Sequence, residues 1–412
     1  MEADGAPGGG RPGRPVRAAA LQLRLRASGS VDGGQSSQDG ELSVDRHRHN
    51  PAQRCRGCLI SGCIPAFLAV PTPAPATSGS PRRPLGRSGR RLVGAGAGAA
   101  ALALLALAGC RFQRPRLTVP VSNWPGYEYL YLAREKGLAA REGLDLQIVQ
   151  FSDPQDIVHA FLRGELEVAQ LTTVEAVDIC ARAPARCPAV VLVLDESRGG
   201  DQVAARTGID SIARLRGRPV AVTHSTLGPY VLSRALEREG LSLADVQLRN
   251  MPLAAMPDAL ARGTVDAVVF YPPYSEYVSR QGRSRTLFDS RAIPGEIFDV
   301  LVVSPRVLDR DRAALVRLVR AWQAAHRYAR SQPGPARALM ARRESLSERE
   351  FAVAERGLVY FGLREQVPLL DPAGPLARNL AAVQAVQRQL GLHASEGRLP
   401  QITPTLVQAA LR

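Results

Sequence analysis

From Leu117 onward the chain alternates short β-branched runs with amphipathic stretches of helical length. That alternation constrains the fold more than any other feature. Candidate strands are residues 117–121, 144–151, 168–171, 190–195, 219–223, 246–250, 265–270 and 298–303, and helix-length segments at 127–141, 153–163, 172–182, 228–239 and 256–262 lie between most of them. A parallel strand pair needs a crossover long enough to hold a helix, so this order predicts an α/β fold with parallel sheets. Asp153-Pro154 reads as a helix start, with Asp as N-cap and Pro at the first helical position, and Gly164 reads as its C-terminal stop. After Val303 the strand pattern ends and helices are expected over 305–330, 335–343, 347–359, 375–390 and 403–411. Trp322, Tyr328, Phe351, Tyr360 and Phe361 are expected there as core anchors.

An internal echo suggests that the α/β part is built twice. Phe161-Leu162-Arg163-Gly164-Glu165-Leu166-Glu167-Val168 and Leu260-Ala261-Arg262-Gly263-Thr264-Val265-Asp266-Ala267 share one plan: a helix end, Arg-Gly, then an acidic residue near the entry to an apolar strand. The spacing is too long for a solenoid and fits two lobes of similar construction.

Residues 1–81 are rich in Gly, Pro, Ser and Arg without a period of 2 or 3.6. They cannot bury enough apolar surface to offset ordering entropy, and are read as an extension outside the fold. Residues 82–109 differ: Arg82, Arg83, Arg87, Arg90 and Arg91 precede an uncharged apolar run over 92–108. Its end, Leu107-Ala108-Gly109-Cys110, resembles the lipobox of bacterial lipoproteins, in which the cysteine is acylated and becomes the first mature residue. The run is short for a membrane span, so a lipoprotein signal peptide is the expected reading. About ninety residues precede it, and no methionine occurs between Met1 and Met251. Translation is therefore expected to start downstream, for instance at Leu85.

Cys55, Cys58 and Cys63, with His47 and His49 nearby, lack a second Cys pair, and no metal site is assigned. Cys180 and Cys187 are the cysteines beyond Cys110. In an exported chain they are expected to form a disulfide, although their spacing leaves two free thiols open. The net charge of +15 comes from arginines with a single lysine, Lys136, and it is scattered. No basic stripe interleaved with aromatics appears, so no nucleic-acid partner is expected.

Ligands of open α/β sheets gather at the carboxyl ends of strands, where helix N-termini point backbone N–H groups outward. Three loops there carry suitable chemistry. Ser122-Asn123-Trp124-Pro125-Gly126-Tyr127 offers an amide and two aromatic surfaces, giving Asn123, Trp124 and Tyr127 as candidates. Gln170-Leu171-Thr172-Thr173-Val174-Glu175 has the spacing of a capping box, and Thr172 and Thr173 remain site candidates beside that role. In Thr223-His224-Ser225-Thr226-Leu227-Gly228, which opens a helix, Ser225 and Thr226 are the preferred contacts for an anionic or strongly polar group. His224 precedes a serine, but no third orienting group marks a catalytic arrangement. The chain has no G-x-S-x-G elbow, Walker loop, H-E-x-x-H or EF-hand loop. The signal is for binding, not turnover.

Four stretches carry a family resemblance. They are Asn123-Trp124-Pro125-Gly126-Tyr127-Glu128-Tyr129-Leu130-Tyr131-Leu132-Ala133, Asp195-Glu196-Ser197-Arg198-Gly199-Gly200-Asp201, Arg214-Leu215-Arg216-Gly217-Arg218-Pro219-Val220-Ala221-Val222 and Glu296-Ile297-Phe298-Asp299-Val300-Leu301-Val302-Val303. In this order they resemble the nitrate/sulfonate/taurine-type (NMT1/THI5-like) solute-binding proteins of ABC importers. The resemblance implies a type II periplasmic binding protein fold: two α/β lobes, a central ligand cleft and a helical C-terminal tail. It places the crossings near 201–207 and 298–304, with the first lobe over 110–206, the second over 207–300, and the return and tail over 301–412. One departure stands out. Relatives commonly carry a polar residue and then Glu-Pro where this chain reads Phe270-Tyr271-Pro272-Pro273-Tyr274, which leaves Tyr271 as an aromatic wall candidate.

The expected function is that of an exported, lipid-anchored, monomeric receptor. It would capture a small polar or anionic solute (sulfonate, nitrate-like, taurine-like or thiamine-precursor pyrimidine) and hand it to an ABC permease and its ATPase, without cofactor or catalysis. The alternatives are a thiamine-pyrimidine synthase-like enzyme using pyridoxal phosphate, whose cysteine-rich motif is absent here, and a solute-sensing lipoprotein that does not transport.

Overall fold

The computed structural model describes residues 114–224, 227–392 and 397–412. The signal-like segment, Cys110 and the cysteines before it lie outside the described residues, as do Ser225 and Thr226. Among the described residues no helix is long and apolar enough to cross a membrane.

Twelve strands are described: β1 (Arg116–Val121), β2 (Asp145–Gln150), β3 (Val168–Thr172), β4 (Ala189–Ser197), β5 (Gln202–Arg206), β6 (Pro219–Val222), β7 (Gln247–Asn250), β8 (Ala267–Phe270), β9 (Ser284–Asp289), β10 (Phe298–Val303), β11 (Leu358–Tyr360) and β12 (Gln401–Ile402). They form two five-stranded sheets and one pair. The first sheet runs β11-β4-β10-β3 with β12 beside β4, and the second runs β7-β6-β8-β5-β9. The parallel pair β1-β2 lies against β3, where the Gln170 side chain reaches the Pro120 carbonyl at 3.5 Å.

The sheets are mixed, not parallel throughout. β10 runs antiparallel to both β3 and β4, and β5 runs antiparallel to β8 and β9. The cause is topological. β4 leaves the first sheet and continues as β5 in the second, while β9 returns as β10, so each sheet receives one strand from the far side. The crossings therefore span residues 198–201 and 290–297, several residues before the expected positions, and the second sheet begins at Gln202. They hold each other: Ser197 Oγ lies 2.8 Å from Ser290 Oγ, which also accepts the Gly199 N–H at 2.6 Å.

Local rules place the helices. Asp153 Oδ1 accepts the Gln155 N–H at 2.9 Å at the start of the Pro154–Arg163 helix, and Gly164 closes it at φ 81°, a left-handed conformation that costs glycine little. The Met256–Arg262 helix ends the same way at Gly263, φ 71°. The helical return is broken at Asp311 into Pro305–Arg310 and Arg312–Ser331, and strands do recur after Val303, as β11 and β12. Three and two residues long, these are too short to show alternation. Trp322 and Phe351 are fully buried, whereas Tyr328, Tyr360 and Phe361 pack partly exposed against the same core.

Arg343 ties the return to the first sheet. Its guanidinium, inside the protein, bonds Glu128, Glu344 at 2.9 Å, the Ser122 carbonyl at 3.0 Å and Gln150. Cys180 and Cys187 are joined, S–S 1.98 Å and Cα–Cα 4.1 Å, across the turn between the Thr173–Arg182 helix and β4.

Candidate functional site

At the junction of the lobes a narrow cavity is lined by Ser122, Trp124, Tyr127, Pro154, Gln170, Thr172, Glu175, Asp201, Leu227, Tyr271 and Asp299. Its free space for the centres of water-sized molecules is about 20 Å³, room for roughly one water. The lobes are closed on one another.

The end of β1 supplies the first wall. Trp124 keeps an extended backbone, and Pro125 opens a single helical turn that ends at Tyr127. The Trp124 indole N–H points to Asp195 Oδ1 at 3.4 Å, and its ring meets Tyr271 edge-on with centroids 5.4 Å apart. A Cβ on Gly200 would fall 2.6 Å from Trp124 Cη2, so the first crossing needs glycine there for the indole to lie against it. The Tyr127 hydroxyl donates to Asp299 Oδ1 at 2.5 Å. Asn123 is directed elsewhere: it accepts from Gln150 Nε2 at 3.0 Å and does not line the cavity.

β3 delivers Gln170 and Thr172. Thr172 Oγ1 accepts the Glu175 N–H at 3.3 Å and Glu175 Oε2 accepts the Thr172 N–H at 2.9 Å, so the capping box forms while both residues still face the cavity. Thr173 is buried behind the lining, its hydroxyl without a partner. Leu227 and Tyr271 come from the second lobe. Of the Phe270–Tyr274 departure only Tyr271 reaches the cavity; Phe270 packs in that lobe's core.

The acidic residues are what sequence reasoning missed. Glu175, Asp201 and Asp299 line the cavity and Asp195 lies behind it, opposite Asp299 in the β4–β10 register. Burial pushes Glu175 up to about 7, Asp201 up to about 7 and Asp195 up to about 8. Burial, and then the Asp195 charge, hold Asp299 well above the ordinary carboxyl range. Two facing carboxyls in one dry site cannot both ionise freely, so the Asp195–Asp299 pair retains a proton. Among the described residues no Arg, Lys or His lines the cavity. The signal for Asp299 was in the sequence: it is the one charged residue in Phe298-Asp299-Val300-Leu301-Val302-Val303.

Two α/β lobes joined by paired crossings, with polar and aromatic groups meeting between them, define a two-lobed cleft protein. A family model described as NMT1/THI5 like matches residues 124–336, and the chain belongs to that family. A Brucella abortus (strain 2308) protein named as a binding protein is 28% identical over 153 residues, 37% of this chain and 46% of that one. The chain thus spans about half the length of the curated relatives it matches. Among solved structures, the periplasmic aliphatic sulphonate binding protein SsuA from Escherichia coli superposes with a TM-score of 0.58 at 17% identity, covering 70% of this chain and 92% of that one. The desulfurization enzyme DSZB superposes with a TM-score of 0.56 at 21% identity, covering 72% and 99%. The fold is that of periplasmic binding proteins.

Proposed function

We propose that this chain is the extracytoplasmic solute receptor of an ABC importer, held at the membrane by an acylated Cys110, a monomer that closes its lobes around a small polar solute and presents it to the permease and its ATPase. The observation that carries this reading is the cavity itself, whose walls come from both lobes: Trp124, Tyr127, Gln170, Thr172 and Asp299 on one side, Leu227 and Tyr271 on the other. A ligand that touches both walls favours the closed state by its extra contacts there, which is the physical requirement for a receptor signalling occupancy by shape. The names of the relatives agree with a binding role, and DSZB shows that the fold also serves an enzyme. The binding reading is supported by a described lining that brings aromatic rings, hydroxyls and carboxyls from both lobes around one closed space. Small-angle scattering with and without a solute found by thermal shift tests the reading: the radius of gyration contracts on binding and the solute is recovered unchanged. A solute converted to product, or bound with no contraction, refutes it. Mass spectrometry of the membrane-extracted protein should find a diacylglyceryl group on Cys110.

A further inference from the structure

The lining polar groups are lopsided. Among the described residues the atoms left without a partner in or behind the cavity are the Thr173 hydroxyl, which can donate or accept, and Asp195 Oδ2, Asp201 Oδ2 and Gln170 Oε1, the last an acceptor and the carboxyl oxygens acceptors once ionised, on residues no more than 3% exposed. A buried acceptor without a donor costs free energy, so these positions call for a molecule that brings donors. Formal charge points the same way. The charged groups that act most strongly on Asp195, Asp299 and Glu175 are all carboxylates, namely one another, Asp201, Asp178 and Glu196, while Asp201 is held up by burial against a Ser197 hydrogen bond. Arg343, whose guanidinium reaches the Ser122 carbonyl beside the cavity, is already engaged by Glu128 and Glu344. Ser225 and Thr226, outside the described residues, are uncharged by residue type. Trp124, Tyr127 and Tyr271 add aromatic surface, which attracts cations. Among the described residues no three carboxylates converge as ligands of a metal ion.

Building on the receptor reading, we propose that the cleft selects a small organic cation bearing N–H donors, such as an ammonium, an amidinium or a protonated amino-heterocycle, over sulfonates and other anions. Asp201, Asp299 and Asp195 supply the counter-charge and Trp124, Tyr127 and Tyr271 the walls. An entering cation draws buried carboxyls into their ionised form, so binding releases protons and tightens as pH rises from about 5.5 to 8. Beside one another, the groups facing those carboxyls are Glu175 from the Thr173–Arg182 helix, Glu196 and Ser197 from β4, Tyr127 and Trp124 from the β1 loop, Thr172 and Gln170 from β3, and Tyr271 from the β8 loop. Burial holds both tyrosines un-ionised, so the carboxyls alone titrate.

The test uses three molecules of one shape and different charge, benzamidinium, benzamide and benzenesulfonate, each titrated calorimetrically into the purified protein up to about 10 mM, a range that reaches weak fragment affinities. Benzamidinium is expected to bind at least about tenfold tighter than benzamide, in line with charge-assisted hydrogen bonds, while benzenesulfonate gives no heat. Its affinity should rise with pH, with proton release seen as a dependence on buffer ionisation enthalpy. Asp201→Asn should lower that affinity about tenfold while folding normally by circular dichroism. Tighter binding of benzenesulfonate, or an affinity for benzamidinium that is flat or falling with pH, overturns the cation inference and leaves the receptor reading standing. Absence of binding by all three also overturns it, and the receptor reading then stands or falls on its own scattering test.

Discussion

Replacing Asp201 by Asn should stabilise the empty protein at pH 8 and do nothing comparable at pH 4. Asp201 sits at the end of the first crossing, 3% exposed, with its backbone N–H on Ser197 Oγ at 3.2 Å and its carbonyl accepting the Ser290 N–H at 3.0 Å. Asparagine keeps both backbone bonds and nearly the same volume, so the change isolates the charge. Burial raises the carboxyl to about 7, against 3.8 for the free group. Between these values the folded state holds a proton that the unfolded chain has released. That contribution is present in full below pH 4 and is lost as pH rises through about 7. A displacement of about three units corresponds to about 4 kcal/mol, an upper bound because water entering an opening cleft would reduce it. The variant lacks this slope. Removing the Asp201 charge also lightens the burden on Asp195 and Asp299, since it helps raise both. Thermal melts followed by circular dichroism, without added solute, should show Asp201→Asn gaining several degrees over the parent at pH 8 and little at pH 4. An equal shift at both values, or a loss at pH 8, would refute the claim that this carboxyl is buried without a counter-charge.

Other perturbations probe the remaining contacts. Trp124→Ala would remove a ring that is 4% exposed and belongs to the core, and should cost about 3 kcal/mol or more of stability, so the cleaner probe is Trp124→Phe, which keeps an aromatic wall and deletes the bond to Asp195. Fluorescence-monitored urea unfolding should show a loss of about 1 kcal/mol for Trp124→Phe. The Cys180–Cys187 bridge closes no more than a short loop, sequence separation 7, and reducing it should lower stability by about 2 kcal/mol in calorimetry with and without a thiol reductant. Arg343→Met leaves Glu128 and Glu344 buried without their cation and should cost about 3–5 kcal/mol at pH 7, read from denaturant midpoints. Gly200→Ala should push the Trp124 indole off the first crossing and weaken solute binding more than it lowers the melting temperature.

Sequence reading located β3, β4 and β10, buried on both faces, and also β2 and β7, which are largely exposed. β3, β4 and β10 are apolar almost throughout, and their β-branched runs mark them without ambiguity. β9 escaped because it is an edge strand, half polar in Ser-Arg-Thr-Leu-Phe-Asp, and β5 because Gln-Val-Ala-Ala-Arg reads equally as helix. Missing β5 moved the first expected crossing and hid the antiparallel strand of the second sheet. At the site the same division holds. Trp124, Tyr127, Thr172 and Tyr271 were visible because aromatics and hydroxyls at strand ends are unusual, whereas nothing in Gly199-Gly200-Asp201 says that the aspartate turns inward. The small polar or anionic solute expected from the sequence rested on the family resemblance, on loop hydroxyls and amides, and on helix N-termini at the strand ends. A dipole end carries about half a charge, which formal carboxylate charges in the same cavity outweigh.

That imbalance bears on how closure and occupancy are coupled. A cleft that shuts on Glu175, Asp201 and the Asp195–Asp299 pair without a counter-charge must either protonate them or hold their charges apart in a dry space, and both oppose closure at neutral pH. A cation removes the opposition and adds its own bonds in one step. To carry a receptor from about 1% to 99% closed, a solute must favour the closed form by roughly 10⁴-fold, about 5.5 kcal/mol. Relief at the buried carboxyls and aromatic contacts across the cleft would supply it together. On this account the empty protein closes more readily in acid, where the carboxyls are neutral, and the solute-dependent change in radius of gyration is larger at pH 8 than at pH 5. If the contraction were instead independent of pH, the carboxyls would have no part in driving closure.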